Sequence, residues 1–113
     1  MSIDTAGETV YLEFILPSNQ RVMQIDFESD DHRNVPPSIT LETPGRALVS
    51  LSIHNKGPGN LRYDTVTTSN SYRANALLEP GEKTQFQTMD PVITRLNLVA
   101  NNGDCSVRLL GLY

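Results

Sequence analysis

Tryptophan is absent from this chain and cysteine occurs once, at Cys105. A lone thiol makes no internal disulfide and no cysteine-based zinc site. Its neighbours Val107 and Leu109 place it on a strand, where a buried, reduced and inert thiol is expected. Basic side chains are few. Nine Lys and Arg against 13 Asp and Glu leave a net charge of −4. The chain therefore lacks the basic footprint that neutralises nucleic-acid phosphates or docks on anionic lipid, so neither is expected as a partner. No apolar run approaches the roughly 18–20 residues that span a bilayer. The opening Met-Ser-Ile-Asp-Thr-Ala-Gly-Glu has neither a basic stretch nor an apolar core. It does not read as a signal peptide, and synthesis in the cytoplasm is the expectation. Apolar residues at helical spacing are missing as well.

What is present is alternation with a period of two, cut by glycine and proline. Residues 1–9 are polar and small and read as a flexible arm, with a single domain over 10–113. Val10, Leu12, Phe14 and Leu16 alternate with Tyr11, Glu13 and Ile15, giving a strand with two partly buried faces. Met23, Ile25 and Phe27 make a second strand, and Ile39 and Leu41 a short third. Ala47, Val49, Leu51 and Ile53 alternate with Leu48, Ser50, Ser52 and His54, the clearest strand of the chain. Asn55-Lys56-Gly57-Pro58-Gly59-Asn60 is dense turn chemistry, and the chain is expected to reverse there. Leu61, Tyr63 and Thr65 continue in alternation. Residues 67–76 read as a polar loop, 73–79 as enough for one helical turn. Glu79-Pro80-Gly81-Glu82 is a tight turn before a strand with Thr84, Phe86 and Thr88. The chain then closes on a hairpin turned by Asn102-Gly103, a pair suited to the two positive φ angles of a type I′ turn. Together these features predict an all-β fold: one antiparallel β-sandwich of seven to nine strands, immunoglobulin-like with Greek-key connections. A small jelly roll or barrel is the alternative.

The series Val49-x-Leu51-x-Ile53-x-Asn55-x-Gly57-Pro58-Gly59-x-Leu61-x-Tyr63, then Leu78-x-Pro80-Gly81-Glu82, then Val107-x-Leu109-x-Gly111-Leu112 resembles the strand-and-turn grammar of small immunoglobulin-like sandwich modules. It is similar to short virion structural proteins of tailed bacteriophages. The likeness covers about residues 46–112 and consists largely of turn positions. It implies a non-enzymatic, capsid decoration-type role in the virion, after synthesis in the host cytoplasm. A capsid or other virion protein would be the partner, with self-association as a trimer or dimer.

Residues that carry chemistry are sparse. His54 lies on the polar side of a strand, where a surface histidine is expected over a catalytic base. His32 sits in an acidic loop with Glu28, Asp30 and Asp31. Carboxylates there offer oxygen to a cation, but the spacing lacks the glycine and the twelfth-position glutamate of a calcium loop. No catalytic motif, cofactor site or metal site is expected. The candidate partner-binding residues are Tyr72 and Arg73, an exposed ring and cation in the polar loop, Asp30 and Asp31 in the acidic loop, and Tyr113. Tyr113 ends the apolar run Leu110-Gly111-Leu112-Tyr113, which is either a sheet edge covered by a partner or the middle of a sheet. A carbohydrate- or receptor-binding module, acting through Tyr72, Arg73 and the acidic loop, is the rival to the virion reading.

Overall fold

In a computed structural model that describes residues 8–67, 71–87 and 93–113, with side chains except at 71–75 and 87, period-two patterning becomes one antiparallel sheet of six strands. They are β1 (Thr9–Leu16), β2 (Met23–Asp26), β3 (Ser50–Thr67), β4 (Ser71–Leu78), β5 (Lys83–Gln87) and β6 (Ile93–Leu112). No helix occurs among the described residues. The all-β, antiparallel expectation holds. Among the described residues the strands number six where seven to nine were expected, because two segments read as reversals lie inside continuous strands.

Those segments face each other. β3 and β6 run antiparallel along their whole length, from Ser50 opposite Leu112 to Thr67 opposite Ile93. Midway, Asn55 pairs with Val107, Pro58 with Cys105 and Asn60 with Asn101. First β3 and then β6 therefore carries extra residues, as paired β-bulges do. Asn102 (φ 59°) and Gly103 (φ 125°) do take the positive φ that a hairpin requires. The chain does not reverse there: Ala100 pairs with Leu61 and Cys105 with Pro58. Gly59 packs so closely on this bulge that a Cβ would run into the Gly103 carbonyl.

The ribbon bends back at this point and its two ends meet. Leu48, just before β3, exchanges both backbone hydrogen bonds with Ile93 at the start of β6 (2.8 and 2.7 Å). Bulges let a strand turn such a corner and pass from one layer to the other. On one side of the bend the order is β1–β6–β3–β5. On the other it is β2–β6–β3–β4. The two arms enclose one core, with Leu16, Met23, Ile25, Leu48, Ile53 and Leu98 fully buried.

Asn55 holds the corner. It is wholly buried. Its side-chain amide donates to the carbonyls of Gly59 (2.9 Å) and Leu78 (2.8 Å), and its side-chain oxygen accepts from Gly57 N–H (2.9 Å). Its backbone bonds to the 79–82 turn, donating to Glu82 O and accepting from Gly81 N–H. That turn is as expected, with Gly81 at φ 90° and Glu82 N–H bonded to Glu79 O.

Other expectations are corrected. Residues 71–78, read as loop and helical turn, form β4, whose polar sequence suits a strand paired on one side only. Ile39 and Leu41 form no strand. Pro36 and Pro37 lack ladder donors, Ile39 N–H bonds back to Pro36 O, and Ile39 is buried without a strand partner. At the start of β3, Leu48 and Ser50 are buried and Val49 faces out, while Leu51 and Ile53 are buried further on. A bulge switches the faces: Val49 N–H donates to Leu112 O (2.8 Å), although Leu112 stands opposite Ser50. β1 buries one face and leaves the other open. Thr9, read as part of the arm, begins β1, and Glu8 O accepts from Tyr113 N–H. Residues 1–7 lie outside the described residues.

Candidate interaction face

Two rows of side chains cross the outer surface of the β1–β6–β3–β5 arm. Strand register sets them: Tyr11 opposite Leu110, Leu110 opposite Ser52, and beside these Glu13 opposite Arg108, Arg108 opposite His54, and His54 opposite Lys83. Tyr11 and Leu110 are about half exposed, at 52% and 47%, and Ile15, four residues along β1 and beyond Glu13, is 62% exposed. Scattered exposed apolar residues are normal. Here two are direct cross-strand neighbours and the third is on the same strand face.

The charged row surrounds Glu13. Arg108 Nη2 donates to Glu13 Oε2 (3.2 Å), the Tyr11 hydroxyl donates to Oε1 (3.2 Å), and Lys56 Nζ lies 3.6 Å from Oε2. The Arg108 hydrogen bond, with that from Tyr11, holds the Glu13 carboxyl below its ordinary value. His54 is shifted down, first by lost solvent and then by Lys83, Arg108 and Lys56. Exposed ion pairs of this kind contribute little to stability. They do tie Tyr11, Glu13, Lys56 and Arg108 together on this surface.

Beside Ile15 the surface is concave. A space of about 310 Å³ lies among Ile15, Pro58 and Ser106, and another of about 430 Å³ between β1 and Ser38–Thr40. Asp104 borders both and accepts from Ser18 N–H (2.9 Å).

The residues singled out from sequence lie on separate elements. Tyr72 and Arg73 belong to β4, with Tyr72 opposite Thr65, so the expected loop platform is a strand; their side chains lie outside the described residues. Asp30 and Asp31 are exposed in the bend after β2. That bend is shaped by Asp31 N–H donating to Ser29 Oγ and by His32, whose Nδ1 accepts from Asp26 N–H (3.0 Å). No group of three or more metal-ligating side chains occurs among the described residues. Tyr113 is half buried, with the Arg46 guanidinium 5.9 Å from its ring centre. The apolar run 110–113 is not an edge, since β6 lies between β1 and β3. Cys105 is buried, and burial, with Asp104 adding to it, pushes its thiol up to about 11.

The Tyr11–Leu110–Ile15 face was missed in the sequence because an apolar residue between Leu12, Phe14 and Leu16 reads equally well as a second buried face. The signal was Glu13, which marks that face of β1 as open. Comparison with known protein families and with curated proteins gave no match to this chain.

Proposed function

We propose that this chain is a non-enzymatic structural protein of a phage virion that attaches to the assembled capsid shell and reinforces it. The likeness in strand and turn grammar supplies the setting. The observation that carries the docking mode is the outer face of the β1–β6–β3–β5 arm, where Tyr11 and Leu110 lie exposed as cross-strand neighbours next to the Glu13–Arg108 pair, with Ile15 on its far side. Aromatic and aliphatic anchors ringed by ordered polar groups are what interface centres are made of. An ordinary interface buries about 800 Å² on each partner, and binding energy alone would do the work.

The test is co-sedimentation with genome-free heads of the phage whose genome carries this gene, followed by heating of the heads. The protein is expected to pellet with the heads and raise their disruption temperature, and Leu110→Glu to abolish both while the variant stays folded. Heads that never retain the protein, or retain Leu110→Glu equally well, refute the reading.

A further inference from the structure

Among the described residues two eight-residue strands, β1 and β4, are paired on one side only; the β4 ladder is broken by a register shift between Ala76 and Tyr72, and of the two only β1 is regular. Among the described residues, β1 is hydrogen-bonded to β6 alone. Because Glu8 O accepts from Tyr113 N–H, even-numbered residues of β1 turn their backbone groups toward β6. Thr9, Tyr11, Glu13 and Ile15 therefore turn theirs outward, and among the described residues nothing takes them up. Natural edges are usually blunted by proline, lysine, a bulge or a cover. The free side of β2 is covered, since Gln24 and Arg33 exchange both backbone hydrogen bonds (2.9 and 3.0 Å). β5 is short and begins with Lys83. β1, Thr-Val-Tyr-Leu-Glu-Phe-Ile-Leu, has eight regular residues, one charge, and no proline, glycine or bulge. The segment Ser38–Thr40 runs beside its far end but stands off across the 430 Å³ space.

We infer that β1 pairs antiparallel with β1 of a second copy, joining two β1–β6–β3–β5 arms into one continuous sheet across a two-fold axis. Antiparallel self-pairing must keep side-chain faces matched, so the axis passes at a residue. With the axis at Glu13, two carboxylates face each other, which is repulsive. With the axis at Leu12, Tyr11 stands opposite Glu13 of the second copy and Thr9 opposite its Ile15. All four are residues with outward backbone groups, and each such pair exchanges two hydrogen bonds. A phenol that already donates to a carboxylate within one copy (3.2 Å) then lies beside a carboxylate of the other. On the inner face Leu12 meets Leu12, and Val10 meets Phe14, extending the apolar layer. The Leu12 axis thus pairs all four outward residues within β1 and keeps the two carboxylates from facing each other. The pairing does not depend on what the outer face binds.

Sedimentation of the full chain tests it. The chain is expected at twice 12.5 kDa at high concentration. Tyr11→Pro removes an outward N–H and no β1–β6 bond, and is expected to give a folded monomer. Ile15→Lys, which leaves the backbone intact, is expected to weaken the dimer at least tenfold. Leu12→Cys is expected to cross-link the two copies on mild oxidation, whereas Phe14→Cys is not. A chain that stays at 12.5 kDa, or a dimer unaffected by Ile15→Lys and by a folded Tyr11→Pro, overturns the inference. Efficient cross-linking at Phe14→Cys with none at Leu12→Cys overturns the register.

Discussion

Replacing Asn55 by alanine should cost more than any other single polar substitution in the chain. The side chain satisfies three buried backbone groups, Gly59 O, Leu78 O and Gly57 N–H. Its loss leaves all three without a partner, at about 1–3 kcal/mol each. Some relaxation offsets this, and a total of about 3–5 kcal/mol is expected, against a typical domain stability of about 5–15 kcal/mol. The melting temperature should fall by roughly 15–30 °C. Urea unfolding followed by far-UV circular dichroism reads the loss directly, with an unchanged slope marking an unchanged fold. Asn55→Asp sharpens the test. The acid is nearly isosteric, and one oxygen still accepts from Gly57 N–H. The other meets two carbonyl oxygens, so the carboxyl is held above its ordinary value in the folded state. A raised carboxyl stabilises the fold only below its unfolded value of about 3.9 and loses that contribution as pH rises. Asn55→Asp should therefore be weakest near neutrality and recover on acidification. Exposed Asn101→Ala should change stability by less than about 0.5 kcal/mol. A loss below about 1 kcal/mol for Asn55→Ala, or an Asn55→Asp profile parallel to that of the unaltered chain, would refute the network.

The unaltered chain should behave in the opposite sense. His54 is held below 6.5, so the unfolded state binds its proton first, and stability should fall as pH drops below 6.5 toward the folded value. Glu13 is held below 4.5, and its contribution, present above 4.5, should be lost as pH falls through the lower folded value. Calorimetry across this range should show both windows, and His54→Asn should flatten the upper one alone. Cys105, with its thiol near 11, should have only about a thousandth of its population as thiolate at roughly pH 8. It should resist a thiol reagent in the native chain and react fully in denaturant; rapid native labelling would contradict its burial. Gly59→Ala, which forces a Cβ into the Gly103 backbone, should destabilise by about 2 kcal/mol or more; an increase in stability would show that the two bulges do not face each other.

Local features of this fold were legible wherever a local rule sufficed. Alternation in β1 identifies Leu12, Phe14 and Leu16 as buried, and Glu-Pro-Gly-Glu at 79–82 identifies its turn. The conformation of Asn102 and Gly103 was legible too, but its meaning was not. Positive φ at two successive residues serves a hairpin and a bulge alike, and the choice is made by Gly59, more than 40 residues away in sequence, packed against Gly103. Asn55 carried the same ambiguity: a turn residue by its type, it bonds to Leu78 O across the chain. β4 stayed hidden because a strand paired on one side needs little apolar content. The candidate face was obscured for a related reason, since alternation reports which residues share a side and not which side meets water.

The β3–β6 ribbon passes straight through the 55–60 and 101–104 segments and folds back until its ends touch. Nuclear Overhauser contacts in the uniformly labelled chain test it most directly. Backbone contacts are expected between Leu48 and Ile93, between Leu61 and Ala100, and between Pro58 and Cys105. Contacts between Ala100 and Cys105 across a closed turn, with none from Leu48 to Ile93, would contradict it.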